Sequence, residues 1–323
     1  MTIGTFSFLN FILLTSVTHP ASQQADKINR LFNSFNIGAA AMLLLVSALV
    51  IYICLKFREK KDSKREASQT TGNIKLEAAM IGVPMFVLLY FFYQSVITEK
   101  AITPVGEATK HPDVIITGHQ WWWEVEYPGS NVITANEVHL PAGKHIVMEL
   151  RSADVIHDWW VPELGNKMDM IPKVNNFLSV DINKPGHYIG ACSEFCGQQH
   201  AWMRINVIAE NEEDYKNWLK ANAQKAAKPT DSLAMKGAVL FQSNSCASCH
   251  RIGGTNAVAA IGPDLTHVGS REELLTGLLK TNEDNLFKWI NHPQQIKEGA
   301  YMPNFIYDKD SVIAIAHYLA QLK

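Results

Sequence analysis

Within twelve residues the stretch Cys192-Ser-Glu-Phe-Cys196-Gly-Gln-Gln-His200-Ala-Trp-Met203 offers two thiolates, an imidazole and a thioether. Soft sulfur with imidazole favours copper, whereas carboxylate and carbonyl sets favour magnesium or calcium. A mononuclear blue-copper site needs a single cysteine, so the second cysteine points to two metals. The competing reading is a Cys192–Cys196 disulfide on an oxidising face; the matching spacing of His200 and Met203 weighs against it. A second motif, Cys246-Ala-Ser-Cys249-His250, has the C-x-x-C-H form of covalent c-type haem attachment. Two cysteines one helical turn apart can both reach the vinyl groups of one haem, with His250 rising to ligate the iron. Met302, in Ala300-Tyr-Met-Pro-Asn-Phe305, is the candidate sixth ligand, and His/Met ligation raises the potential. Its rivals are His267, His292, His317 and Met235. A redox thiol pair or half a zinc site shares the C-x-x-C spacing, but neither explains the downstream Met-Pro. Copper and haem together mean one-electron chemistry.

These residues need a scaffold, and 323 residues leave room for two or three units. A formal net charge of −2 gives no reason to expect a nucleic-acid partner. Four of the five cysteines fall in the two motifs, and Cys54 lies in an apolar run as a small hydrophobe, so no disulfide framework is implied. Residues 31–55 and 78–98 carry no formal charge, and each is long enough for a helix across a bilayer core of about 30 Å. Helices are expected at about 31–57 and 76–98, as a hairpin within 31–100. Between them runs Lys56-Phe-Arg58-Glu-Lys60-Lys61-Asp-Ser-Lys64-Arg65, which the positive-inside rule places in the cytoplasm, leaving both motifs outside. The apolar residues 6–17 have no basic residue before them, unlike a secretory signal. The N-terminal segment 1–30 is therefore expected to remain uncleaved and lie at the interface. Gly38, Ala39, Ala40 and Ala41 on the first helix permit close helix contact.

From about 101 to 210 the pattern changes to short alternating strands. His145-Ile-Val-Met-Glu-Leu150 and Phe177-Leu-Ser-Val-Asp-Ile182 are bounded by Pro141-Ala-Gly143 and Lys184-Pro-Gly186, as in a β-sandwich or barrel. The sulfur cluster falls on a loop near the end of this domain. His157 follows the 145–150 strand and is the candidate ligand from elsewhere in the fold.

The pairing of His157 with the 192–203 frame resembles subunit II of haem-copper cytochrome c oxidases. So do Gly118-His-Gln-Trp121, Val161-Pro-Glu-Leu-Gly165 and the paired membrane helices, over about residues 33–208. The resemblance implies a binuclear mixed-valence copper centre on a cupredoxin-like all-β barrel. Cys192 and Cys196 would bridge the coppers, His157 and His200 cap them, and Met203 and the Glu194 carbonyl act as weak axial ligands. It also implies a magnesium ion at the Glu194 carboxylate, electron entry at Trp121 and proton uptake at Glu77.

Residues 211–231 read as a short surface helix and linker ending near Pro229. Beyond it, 232–323 resembles a small all-α cytochrome c of class I type, including Gly262-Pro-Asp-Leu265. A first helix over 233–241 with Ser232 as N-cap and a closing helix over 309–322 are expected. Neither membrane run contains histidine, so an oxygen-reducing centre inside the bilayer must belong to a partner. The combination resembles a cytochrome-c-fused, caa3-type oxidase subunit II in a bacterial inner membrane. Expected partners are subunit I, subunit III, and a donor that is either a soluble cytochrome c or a membrane-bound quinol:cytochrome c reductase-type complex. The alternatives are a nitric oxide reductase subunit and a membrane-anchored electron carrier or copper-delivery protein.

Overall fold

The computed structural model describes residues 18–58, 72–104 and 106–323. The apolar 6–17 segment and most of the basic loop lie outside the described residues. The described residues form two compact units, one spanning Lys27–Ile102 and the other comprising Thr103–Lys323 with residues 18–26.

In the first unit, helices α1 (Gln23–Lys56) and α2 (Ile74–Ile102) run antiparallel. Lys27 Nζ donates to the Ala101 carbonyl at 3.0 Å, and the Phe35 and Phe91 rings meet edge to face at 5.1 Å. Gly38 allows this approach, since a Cβ there would sit 3.2 Å from the Phe91 ring. At about 1.5 Å rise per residue, both helices exceed an apolar core of about 30 Å. Leu44, Leu55, Phe86 and Phe92 face outward and exposed; so broad an apolar surface is stable in lipid rather than in water. The helix α1 begins at Gln23 rather than near 31. A helix start needs a cap, not an apolar residue, and Ser22 Oγ supplies one by accepting the Ala25 N–H at 3.0 Å. At the start of α2, Asn73 Oδ1 accepts from the Leu76 N–H and Glu77 Oε1 accepts from the Asn73 N–H, a reciprocal capping arrangement.

The second unit opens with a β-sandwich of cupredoxin-like type. Strands β1 (Val114–His119), β2 (Trp122–Tyr127), β3 (Val132–Ala135), β5 (His145–Ser152) and β8 (Asn176–Asp181) make one sheet in the order β3-β2-β1-β5-β8. The other is β4-β10-β9-β6-β7, from β4 (Glu137–Pro141), β6 (His157–Trp160), β7 (Met168–Met170), β9 (Gly186–Cys192) and β10 (Arg204–Glu210). Alternation buries one face of β1, β2 and β9, as in β1 with Val114 and Ile116 inward, whereas the expected alternation of β5 and β8 gives way to runs buried on both faces. Trp123 and Trp159, one from each sheet, meet edge to face at 5.3 Å, a contact worth about 0.5–1.5 kcal/mol beyond area burial. The following helix α3 (Glu212–Asn222) is more than a surface connector. Its Trp218 stacks on His139 at 4.0 Å and meets Tyr127 at 5.2 Å, closing one side of the sandwich.

The C-terminal part is helical: α4 (Ser232–Ser243), α5 (Glu283–Asn291), the single turn α6 (Pro293–Ile296) and α7 (Lys309–Ala320), with a two-residue ladder of β11 (Glu273–Leu274) and β12 (Leu279–Lys280). The N-cap of α4 is Asp231, not Ser232; its carboxylate accepts from the Ala234 N–H at 2.8 Å. Helices α4 and α7 cross so closely that a Cβ on Gly237 would lie 2.0 Å from the Ala314 carbonyl oxygen. Only glycine fits there.

His317 on α7 ties three elements together, with Nδ1 2.9 Å from Glu283 on α5 and Nε2 3.0 Å from the capping Asp231. Hydrogen bonds from Glu283 and then Asp231 raise its pKa above the usual histidine value against slight desolvation. A raised folded-state pKa gives stability that is full below the unfolded value and lost as pH rises through the folded one. The melting temperature of the C-terminal domain, followed by circular dichroism on the full chain, is therefore expected to fall by a few degrees as pH rises through the histidine range. His317→Gln should flatten that slope.

Candidate copper and haem sites

At one end of the sandwich the chain returns from β9 to β10 through residues 193–203. Cys192 closes β9, Met203 precedes β10, and the Cys192 N–H donates to the Met203 carbonyl at 3.0 Å. His157 opens the neighbouring strand β6, which pairs with β9 at Trp159 and Cys192. This register brings the distant imidazole to the sulfurs. Cys192 Sγ and Cys196 Sγ are 3.8 Å apart, and both thiols are free. His157 Nδ1 lies 3.9 Å from Cys192 Sγ, and His200 Nδ1 lies 3.6 Å from Cys196 Sγ. Met203 Sδ is 3.7 Å from Cys196 Sγ, and the Glu194 carbonyl oxygen is 3.3 Å from Cys192 Sγ. Thus every member of the sequence-derived copper set converges, with each imidazole turning Nδ1 to a sulfur. The Glu194 side chain is exposed.

Asp154, which sequence reasoning did not single out, fixes the His157 ring. Its Oδ1 lies 2.8 Å from His157 Nε2, while Oδ2 accepts the Gln120 N–H at 2.7 Å. Burial opposes charge on His157, but the Asp154 and Cys192 hydrogen bonds prevail and its pKa is raised. Burial likewise opposes charge on Asp154, yet the bonds from His157, Gln120 and Val155 hold its pKa below the usual carboxylate value. The thiol pair shares one hydrogen bond, which pulls the pKa of Cys192 down and pushes that of Cys196 up. Gly118 keeps the space beside His157 open, since a Cβ there would lie 2.9 Å from the ring.

Cys246, Cys249, His250 and Met302 all line one cavity of the C-terminal domain. His250 Nδ1 donates to the Pro263 carbonyl at 2.8 Å, leaving Nε2 as the ligating nitrogen. A Cβ at Gly262 would sit 2.6 Å from the His250 ring, so the cradle needs a glycine. None of the rivals His267, His292, His317 and Met235 lines this cavity. His267 Nε2 donates to the Gln224 carbonyl, and His317 is held by its two carboxylates. The donors and the cavity fit a covalently held haem.

The same cavity is walled in part by Gln120, Trp121 and Trp122 of the sandwich. Trp121 Nε1 donates to the Cys196 carbonyl at 3.0 Å, and Gln120 Nε2 donates to the same oxygen at 2.7 Å. The Trp121 ring lies 5.7 Å from that of Tyr301, whose hydroxyl donates to Gln120 Oε1 at 2.7 Å. Lys297 is buried, and its Nζ donates to the Trp121 carbonyl at 2.7 Å. Burial lowers its pKa to about 7, with the Cys196 sulfur pulling the other way. The Glu77 carboxylate accepts the Asn73 N–H in the cap of α2.

Comparison with known proteins follows the same division of the chain. Residues 131–210 match the family described as Cytochrome C oxidase subunit II, periplasmic domain, and residues 234–323 match Cytochrome c. A cytochrome c oxidase subunit 2 from Alkalihalophilus pseudofirmus is 33% identical over 88% of this chain and 84% of its own length. One from Bacillus sp. strain PS3 is 30% identical over 82% and 79%, and one from Bacillus subtilis is 26% identical over 95% and 92%. The two matched domains imply copper and haem.

Groups that orient a ligating histidine typically carry about 10–100-fold of metal affinity. Asp154→Ala is expected to weaken copper binding by that order, measured by competitive titration with a copper chelator. Glu194→Gln, which leaves the backbone carbonyl in place, should leave copper affinity close to wild type.

Proposed function

This chain belongs to the cytochrome c oxidase subunit 2 family, and from that premise we propose that it receives single electrons in its C-terminal domain and hands them through its sandwich domain to subunit I. The observation that carries the reading is Trp121, whose ring lines the haem cavity while its indole N–H holds the Cys196 carbonyl. Copper and haem, when bound, supply reversible one-electron chemistry. The residues of this chain supply position. Cys192 and Cys196 through their sulfurs, His157 and His200 through Nδ1, and Met203 with the Glu194 carbonyl would hold two coppers. Cys246 and Cys249 would hold the haem covalently, and His250 and Met302 would be its iron ligands.

Buried, hydrogen-bonded ligands move little on a change of charge, which suits electron transfer rather than substrate binding. Cys192 and Cys196 are both nearly closed to solvent, His157 is pinned by Asp154, and His250 by Pro263. The two apolar helices make this a membrane-anchored subunit. The basic loop supports a cytoplasmic connection, with both cofactor domains on the outer side of a bacterial inner membrane.

The relatives' name favours oxygen over nitric oxide as the terminal acceptor and an oxidase partner over a free carrier. In this reading subunit I reduces oxygen to water and pumps protons, with subunit III beside it. The donor is a cytochrome c or a quinol:cytochrome c reductase-type complex. In the same reading the exposed Glu194 carboxylate would be a magnesium ligand, and Glu77 in the first turn of α2 would take up protons. Trp121 conducts between the two domains inside the chain, so its part in electron entry from outside passes to the haem domain.

Electron paramagnetic resonance of the full-length oxidised protein tests the copper assignment. The expected spectrum shows one unpaired electron shared over two equivalent copper nuclei, and Cys196→Ser should reduce it to a single-nucleus pattern. A single-nucleus pattern in the wild type would remove the binuclear reading. Because His/Met ligation raises haem potential, Met302→Ala is expected to lower the midpoint potential in redox titration, whereas Met235→Ala should leave it unchanged.

A further inference from the structure

We propose that Lys297 is a positioning residue for electron transfer between the two domains, fastening the Met302 loop to Trp121 and through it to Cys196. The proposal rests on the relay reading above. Lys297 is 4% exposed, and an ammonium is rarely buried without a specific partner. Its hydrogen-bond partners are directional oxygens: the Trp121 carbonyl at 2.7 Å and Thr276 Oγ1 at 3.3 Å. Thr276 Oγ1 in turn lies 2.5 Å from the carbonyl oxygen of Trp202, between the candidate ligands His200 and Met203, and its one proton is shared between that oxygen and the Leu275 carbonyl.

The residues after Lys297 complete the fastening. The Glu298 carbonyl accepts from Gln199 Nε2 at 2.6 Å. Gly299, at φ +80°, lies against Gln198 so closely that a Cβ would meet its Oε1 at 2.1 Å. Tyr301 then donates to Gln120, and Met302 follows. A single short loop thus reaches from the candidate iron ligand to the copper loop, with the Lys297 amine as a buried donor between them. The Lys297 amine donates to both oxygens whether or not it carries a proton, and a carbonyl acceptor fixes direction as well as distance. A lysine serving only to fill space would act through its methylenes, which methionine reproduces. Arginine, by contrast, keeps the positive donor.

The test compares wild type, Lys297→Met and Lys297→Arg in the intact oxidase complex. Hydrogen–deuterium exchange reads the opening of this contact. Lys297→Met should speed exchange at the Gln120, Gly299 and Ala300 amides by about two- to tenfold, the scale of one hydrogen bond. Lys297→Arg should remain closer to wild type. The rate from haem to copper should fall in Lys297→Met, while the copper spectrum and its reduction by a small soluble reductant stay unchanged. Unchanged exchange in Lys297→Met, or faster exchange with an unchanged transfer rate, would overturn the proposal. Absence of haem-to-copper transfer in the wild type would sink the relay reading instead, and the exchange data would still decide whether Lys297 fastens the loop.

Discussion

The carbonyl oxygen of Cys196 is the point on which both candidate sites depend. It accepts two side-chain N–H groups, from Gln120 and Trp121, which satisfies both lone pairs. Its own residue carries one of the two facing sulfurs, so the bonds set where that sulfur can be. Trp121 is a wall of the haem cavity as well. A shift in one site is therefore transmitted through a single indole and one peptide to the other. Unpaired, a buried carbonyl would cost about 1–3 kcal/mol, enough to favour one loop conformation over its alternatives.

Around that point the fold removes freedom in layers. Strand register brings His157 to Cys192, Asp154 sets the ring, and Gly118 leaves space for it. The haem domain is shaped by equally tight limits, with Gly237 at the α4–α7 crossing and Gly262 against His250. These are positions where a methyl group would collide with backbone or a ligating ring. A scaffold of this kind holds ligands through a change of oxidation state, which a solvent-exposed loop could not do.

Much of this was legible because the chemistry is local in sequence. The 192–203 frame and the Cys246–His250 motif each lie within a short stretch, so residue type and spacing pointed to Cys192, Cys196, His200, Met203 and the haem-motif residues, whereas the Glu194 carbonyl entered only through the family resemblance. His157 came from strand order, and the structure brings it to the sulfurs. The choice of Nδ1 on each histidine was not legible, since ring orientation is decided by Asp154 and by the turn His200–Trp202. Helix α1 starts earlier than its apolar run because Ser22 caps a polar first turn. Lys297 and Tyr301 were invisible as functional residues. A lysine or tyrosine in a polar loop reads as solvated, and only docking of two distant segments buries this lysine. Trp121 carried a resemblance but no sequence signal that its ring would also line the haem cavity.

One measurement decides whether the two sites work as a single conductor. A single electron is injected photochemically into the haem of the intact oxidase, and haem and copper absorbance are followed in time. The relay requires haem reoxidation and copper reduction to share one first-order rate that does not change with protein concentration. Copper reduction that precedes haem oxidation, or a rate that grows with protein concentration, would show that electrons do not pass within the chain.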